Sequence, residues 1–167
     1  MANTFQNING MTVNQVSAAF VLGTTSTYTT TVTTSAVING LFGTTLGAQT
    51  NTASPTVDAT TGLAFVPLTA NQATVLVWGV NAAGAIKLAQ GSIVATETGV
   101  TTVAGAFIVA PQFPALPDDF CPIAYNLVRT SPTGSAFTPG TTSWTASGIT
   151  ASVAKNIHTM PARPVIA

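Results

Sequence analysis

The sequence predicts an all-β protein, a β-sandwich or barrel-like domain with an extended N-terminal arm. Short apolar runs rich in Val, Ile and Thr alternate with Gly, Pro and Asn turns, and helical periodicity is almost absent. No repeat of about 20–50 residues is present, which argues against a solenoid or a propeller. The chain carries no charged side chain before Asp58. We therefore divide it into an N-terminal assembly arm, residues 1–40, and a β-domain, residues 41–167.

The centre of the chain carries the clearest strand pattern. The segment "ATVLVWGVNAAGAIKLAQGSIVAT" predicts a strand from Ala73 to Val80, a turn at residues 81–84 and a return strand over residues 85–95. In the first strand, valines 75 and 77 face one side, while Leu76, Trp78 and Val80 face the other. Because both faces are apolar, this strand is expected to be central and covered on both sides.

The remaining elements follow from shorter signals. "VAGAFIVA" predicts a strand from Val103 to Ala110, which three prolines end, and the segment near residues 123–129 predicts another. Short strands are expected near Phe137 and within "TASGITASVA". Asn39-Gly40 is a strong hairpin dipeptide. The segment "VNQVSAAFVLG" is compatible with a short helix or a strand.

The threonine-rich run "TTSTYTTTVTTS" predicts an extended chain that lines an interface. Thr is β-branched and suits a pleated surface, and Tyr28 and Val32 fall on the same parity of the run. A Thr hydroxyl satisfies a hydrogen-bond partner without a charge that must be desolvated. Edge strands usually carry a protecting Lys or Pro, and this run has neither. The predicted interface residues are Thr27, Tyr28, Thr29 and Val32, together with Trp144, since Trp is frequent at interface centres.

The charge content indicates that the chain associates with other protein. Charged residues make up 5% of the 167 residues, Thr contributes 31, and the formal net charge is zero. Near-zero net charge favours association, so a homo-oligomer, a dimer or a trimer, is expected. Four scattered cations do not form the basic stripe that nucleic acids require, and we predict no nucleic-acid partner.

Targeting signals are missing from the sequence pattern. The longest apolar run, "VSAAFVLG", is far shorter than the roughly 20 residues that span a bilayer, so no membrane partner is predicted. "MANTFQNING" lacks the Lys or Arg of a secretory signal, and a single Cys excludes an internal disulfide framework. We expect synthesis in the cytoplasm.

Few residues are available for chemistry, and we predict no enzyme, no metal and no cofactor. Cys121 and His158 are the only thiol and the only imidazole, and Cys121 is expected to be buried and inert between Phe120 and Pro122. One His and one Cys do not furnish a zinc site, and no phosphate-binding glycine motif occurs. Asp118-Asp119, in "LPDDF", is expected to form a turn in which Asp caps its own backbone.

The C-terminal half carries a family resemblance. The pattern "PQFPALPDDFCPIAYNLVR…GSAFTPGTTSWTASGIT", from Gln112 to Thr150, resembles small virion structural proteins of tailed bacteriophages. In these proteins a Pro-rich loop leads into a "PI.Y..V" strand, followed by "F.PGTT…ASG(I/V)T". The "VWGVNAAGAIKLAQG" hairpin resembles them more loosely. The resemblance carries no catalytic residues and does not extend to residues 1–57.

This resemblance implies a capsid-associated protein. The expected function is decoration or cementing of the shell by binding the major capsid protein, with localisation in the virion after synthesis in the host cytoplasm. An alternative is a phage fibre or tail-tip module that binds a host-surface glycan, with Trp144, Asn126 and Asp118–Asp119 in or near the site. An uncharged arm of this length spans well over ~100 Å when extended, enough to cross a neighbouring subunit and add a strand to it.

Overall fold

The computed structural model describes residues 12–166, with the backbone alone for residues 42–44, and these residues form strands and loops without a helix. The all-β prediction is confirmed. The strands are β1 (Val13–Asn14), β2 (Phe20–Leu22), β3 (Thr27–Thr30), β4 (Thr34–Ile38), β5 (Leu41–Leu46), β6 (Gln49–Ala53), β7 (Gln72–Asn81), β8 (Ile86–Gln90), β9 (Val94–Ala95), β10 (Phe120–Thr130), β11 (Ile149–Ala151) and β12 (Lys155–Asn156).

The two longest strands, β7 and β10, form the middle of the main sheet. They run antiparallel, in a sheet of order β11-β10-β7-β8, while β12 also pairs with β10 and β9 with β7. A register shift between Pro122 and Ala124 accommodates a residue that has no backbone N–H to donate. Gly79 of β7 lies under the ring of Phe120, and a Cβ there would stand 2.2 Å from the Phe120 Cε1 atom. Glycine is therefore required for this close packing.

Both faces of β7 are covered, as the alternation of its side chains predicts. Leu76, Trp78 and Val80 enter the larger core cluster. Val75 and Val77 enter a second cluster on the opposite face, together with side chains of β10. Because hydrophobic clusters lie on both sides of the sheet, the domain has the layered packing of a sandwich-like fold.

The hairpin after β7 forms where it is expected, but its return strand is interrupted. Residues 81–84 make the turn, with Gly84 at a φ of 77°. The return strand divides into β8 and β9 because Gly91 turns inward. Its N–H donates to the Val75 carbonyl at 2.8 Å, and its carbonyl accepts from the Thr74 hydroxyl at 2.8 Å.

Two of the predicted strands in the second half of the chain are wrong or reduced. Val103–Ala110 is a loop, and its β-pairing within residues 12–166 is limited to the isolated bridges Thr96–Phe107 and Val100–Val103. The strand near Phe137 is a single bridge to Leu68. The strand in "TASGITASVA" is confirmed as β11. The loop forms because its own two arms approach each other too closely for side chains at Gly99 and Gly105.

Two small three-stranded sheets complete the domain, with orders β1-β4-β5 and β2-β3-β6. The β4–β5 hairpin turns at Asn39-Gly40, with φ angles of 51° and 76°, so the predicted hairpin is confirmed. Each small sheet combines strands from both sides of residue 40. The segment "VNQVSAAFVLG" is strand at its ends, in β1 and β2, and not helix.

The described part of the predicted arm, residues 12–40, packs on the rest of the domain. Phe20 and Tyr28 belong to the larger core cluster, and Ala36 and Ile38 pack against Cys121. Residues 1–11 lie outside the described residues. The Thr run is also not one continuous strand, because the chain bends at residues 31–33 between β3 and β4. Tyr28 and Val32 therefore do not share a face, contrary to the prediction.

Candidate interaction surfaces

An aromatic cluster at the centre of the larger core includes two of the predicted interface residues. The Trp78 ring lies 5.5 Å from that of Tyr28 and 5.9 Å from that of Trp144, measured between ring centroids. The indole N–H of Trp144 donates to the Thr27 carbonyl at 3.0 Å. Tyr28 and Trp144 are 4% and 3% exposed. In this fold both residues join the small sheet β2-β3-β6 to the main sheet.

The other three predicted interface residues lie nearer the surface. Thr27 and Thr29 are half-buried in β3, which is the middle strand of its sheet, and the Thr29 hydroxyl accepts a hydrogen bond from the Asn51 N–H at 3.1 Å. Val32 is 40% exposed at the bend between β3 and β4. An interface role for the five residues stays a prediction. Of these five residues, only Val32 is a large apolar side chain that is exposed in the folded chain.

The lack of charged residues in the Thr run is explained by the burial of several of its side chains within this chain. Thr30 and Thr34 are 0% and 1% exposed, and the Thr30 hydroxyl accepts from the Gln49 N–H at 3.0 Å. Burial raises the pKa of the Tyr28 hydroxyl, although a hydrogen bond with the Thr52 side chain lowers it in part. A charged residue at any of these positions would be buried without a partner. Much of the segment therefore faces its own domain.

Cys121 and His158 occupy unrelated environments. Cys121 is fully buried against Ala36 and Ile38, and burial raises the pKa of its thiol to about 11. The thiol is therefore protonated near neutral pH and is a poor nucleophile. His158 is exposed, and its Nδ1 atom lies 2.7 Å from the Asn14 carbonyl oxygen. The expected burial of Cys121 is confirmed.

The acidic residues serve as turn elements. Residues 117–120 form the predicted turn, with the Phe120 N–H donating to the Pro117 carbonyl at 3.1 Å. The side chain that caps its own backbone is instead that of Asp58. Its carboxylate accepts from the N–H groups of Thr60 and Gln90 and from the Thr61 hydroxyl. In residues 12–166 no three His, Cys, Asp or Glu side chains are grouped as metal ligands.

The residues suggested for a glycan site are not brought together at the surface. Trp144 is buried, and Asn126 is 0% exposed, with its side-chain oxygen accepting from the Trp78 indole N–H at 2.8 Å. Asp118 and Asp119 are exposed but lie in the turn described above. A cleft of about 330 Å³ includes Asp119 and Lys87 in its wall, and its one aromatic lining residue, Phe120, is 3% exposed. This cleft therefore offers no ring face on which a sugar would stack.

The loop between β9 and β10 carries several large apolar side chains that are exposed to solvent. Residues 96–109, which we call the valine loop, present four large apolar side chains: Val100 (74% exposed), Val103 (65%), Ile108 (62%) and Val109 (60%). Glu97 is the only charged residue in the loop. Several large, exposed apolar side chains on one loop are typical of an interaction site.

The valine loop is fixed to the body of the domain by polar contacts at its base. Glu97 N–H donates to the Ala106 carbonyl at 2.9 Å, which joins the two arms. The Arg129 guanidinium donates to the Gly105 carbonyl at 2.8 Å and lies 5.2 Å from the centroid of the Phe107 ring. The Thr133 hydroxyl donates to the Thr101 carbonyl at 2.7 Å. These contacts attach the loop to the rest of the domain at Thr101, Gly105 and Phe107.

Sequence reasoning missed this surface because it interpreted "VAGAFIVA" as a strand. The available signal was the pair Gly99 and Gly105, which bracket the segment and permit the two arms to meet backbone to backbone. Arg129, which contacts the loop, lies near the end of β10, more than twenty residues away in sequence. Its contact is not predictable from a local pattern.

Comparison with known proteins identifies no relative. No family model matches the chain, and neither do any curated protein or any solved structure. Within residues 12–166 there is also no helical segment with the length and hydropathy of a membrane span.

Proposed function

We propose that this chain is a structural virion protein, which binds the major capsid protein at the surface of the shell, stabilises the shell and contributes no chemistry. Two independent features support the proposal. The first is the resemblance of Gln112–Thr150 to virion structural proteins of tailed bacteriophages. The second is the charge-poor surface, which suits a chain that works by contact area.

The observation that carries the proposal is the valine loop. Four exposed apolar side chains are held on a loop that Arg129 and Thr133 fix in place, so little conformational entropy is lost when a partner covers them. Covering each of these side chains contributes about 1–2 kcal/mol from its apolar area. A decoration protein repeats the contact at many equivalent positions on the shell.

The test is co-sedimentation of the purified chain with phage heads from its source. Wild-type protein is expected to pellet with the heads and to raise the temperature at which they release DNA. The variant Val100→Asp/Val103→Asp places two charges in the contact and is expected to bind at least about tenfold more weakly.

Leu63→Asp/Val66→Asp is the matched control, because both residues are exposed apolar side chains outside the valine loop, at 69% and 60%. This control is expected to bind as wild type does. If wild-type protein stays in the supernatant at all concentrations, capsid binding is wrong. If both double variants bind equally well, the valine loop is not the contact.

A further inference from the structure

A groove beside β2 is bordered by unpaired backbone groups of the kind that an added β-strand would bind. Residues 21–23 at the edge of β2 and residues 151–154 line this groove, whose volume is about 240 Å³. Val21 and Val153, which are 49% and 80% exposed, contribute apolar surface, and none of the lining residues is charged. We call this groove the edge slot.

The backbone of β2 turns unpaired groups toward the edge slot. The Gly23 N–H donates to the Thr27 carbonyl at 2.9 Å, which makes Gly23 and Thr27 a hydrogen-bonded pair of the ladder with β3. Phe20 instead directs its N–H and carbonyl away from β3, to the Asn156 side chain. Antiparallel ladders alternate in this way, so the N–H and carbonyl of Leu22 also point away from β3. They have no partner within residues 12–166.

The opposite wall of the slot is a second unpaired edge. Ser152 N–H donates to the Leu127 carbonyl and Ser131 N–H to the Gly148 carbonyl, both at 2.8 Å. These bonds fix the ladder between β10 and β11, and by the same alternation the N–H and carbonyl of Ala151 turn away from β10. Two strand edges therefore line the same groove with free donors and acceptors.

Next to the slot, at Phe20, the side chain of Asn156 takes the place of a neighbouring strand. Its side-chain amide donates to the Phe20 carbonyl at 3.0 Å, and its oxygen accepts from the Phe20 N–H at 2.7 Å. The peptide groups of an adjoining strand make the same pair of contacts. At Leu22 this replacement ends, and the position that a peptide would take is open.

We propose that the edge slot receives residues 1–11 of a second copy of this chain as an added strand. The segment "MANTFQNINGM" has no charged side chain, in agreement with the uncharged lining of the slot, and Phe5 and Ile8 supply apolar groups. Eleven extended residues reach about 36 Å, which is enough to cross to a neighbour. The added strand would satisfy both edges and join the small sheet to the main sheet.

The position of Thr12 favours the slot of a neighbouring copy over the slot of the same chain. Asn14 N–H donates to the His158 carbonyl, and Thr12 shares a second pocket with Met160. Thr12 therefore lies beside the C-terminal tail at Met160, whereas the slot is lined by residues 151–154. A head-to-tail contact of this type builds a ring or a fibre of subunits.

This inference deepens the assembly role proposed above by naming a contact between copies, and its test does not involve capsids. Sedimentation equilibrium of the full chain is expected to give a mass above the 16.8 kDa of one chain. An excess of a synthetic peptide with the sequence of residues 1–11 is expected to compete for the slot and to return the mass to that of one chain. A mass that is always that of one chain, or that the peptide does not change, overturns the proposal.

Leu22→Pro tests the slot itself. Proline removes the N–H that points into the slot and no hydrogen bond within the chain, so self-association is expected to weaken about tenfold or more. Leu22→Val keeps the N–H and is the control. If Leu22→Pro assembles as the wild type does, the slot is not the contact.

If Leu22→Pro fails to fold, Val153→Asp replaces it, because Val153 is 80% exposed. If the mass of Val153→Asp equals that of the wild type, the proposal is overturned. The control is Leu63→Asp, and a mass of Val153→Asp below that of this control supports the proposal.

Discussion

Trp78 donates its indole N–H to the side-chain oxygen of Asn126 at 2.8 Å, where both residues are fully buried between the layers of the domain. The amide nitrogen of Asn126 has no partner within residues 12–166. A buried pair of this kind adds little net stability, but it strongly disfavours any packing that separates the two groups. The pair therefore fixes the register of β7 against β10, where neighbouring apolar side chains would tolerate a shift.

Cys121 gives a pH dependence that is specific to one residue. The folded chain keeps the thiol neutral up to about pH 11, whereas the thiol of the unfolded chain ionises near its ordinary pKa of 9.0. The folded state therefore holds the proton more tightly, and this contribution to stability is lost as the pH rises from 9 to 11. Between pH 8 and pH 11 we expect the unfolding free energy of the wild type to fall by about 2 kcal/mol more than that of Cys121→Ala.

Urea titrations of both proteins at pH 8 and pH 11 measure this difference. Tyrosine ionisation affects both proteins alike and cancels in the comparison. Equal pH dependence in the two proteins would show that the Cys121 thiol is accessible to water in the folded state.

The valine loop shows how a segment of strand-like sequence stays out of a sheet. Its two arms bond to each other through Glu97 and Ala106, while Arg129 bonds the Gly105 carbonyl, so its backbone groups are partly satisfied without a neighbouring strand. Its apolar side chains face outward because the inner side of the loop is occupied by its own backbone at Gly99 and Gly105. An exposed apolar loop thus results from local packing and from one distant cation.

Arg129→Leu is expected to release the valine loop while the sheets stay folded. The substitution removes the hydrogen bond to the Gly105 carbonyl and the contact with the Phe107 ring, at a cost of about 1–2 kcal/mol. Hydrogen exchange of the Glu97 amide, which is bonded to Ala106, is expected to become about tenfold faster or more.

Lys87→Leu is the matched control, because it also removes one cation from the main sheet, and Lys87 is exposed in β8. In Lys87→Leu, the rate of hydrogen exchange of the Glu97 amide is expected to equal that of the wild type. Unchanged exchange in Arg129→Leu would mean that Arg129 does not hold the loop.

At the scale of the whole molecule, the three sheets depend on one another through shared side chains. The Phe20 ring of the small sheet lies 4.6 Å from the ring of Trp78 in the main sheet. Trp144 contacts Trp78 and also bonds to the Thr27 carbonyl. The strands of residues 12–40 therefore share a core with the segment predicted to be a separate β-domain. The division at residue 40 stays a prediction for solution behaviour.

Phe20→Ala tests whether the chain unfolds as one unit. Phe20 is fully buried, and its truncation is expected to cost about 3–5 kcal/mol. Because the core is shared, we expect a single transition in which tryptophan fluorescence and far-UV circular dichroism change together at a lower denaturant concentration. Val21→Ala is the control, since Val21 is 49% exposed on the same strand and is expected to shift the midpoint little. Two separate transitions would instead support an independent N-terminal unit.

The sequence by itself determined the all-β class, the central apolar strand β7 with its two covered faces, the Asn39-Gly40 hairpin and the inert Cys121. These properties depend on neighbours along the chain: alternation of side chains, turn residues with positive φ, and the scarcity of charge. The strand predicted at "VAGAFIVA" was wrong, because the segment has the composition of a strand but does not pair with a strand edge within residues 12–166.

Only the tertiary structure decided where the neutral N-terminal half packs, which apolar side chains stay exposed, and where strand edges remain unpaired. Tyr28 and Trp144 are residue types that are frequent at interfaces, yet both pack against Trp78 in the core. They come from distant segments of the chain, since Thr27 and Trp144 are 117 residues apart. Burial and edge pairing depend on which distant segments come together, and a single local pattern carries no information on that choice.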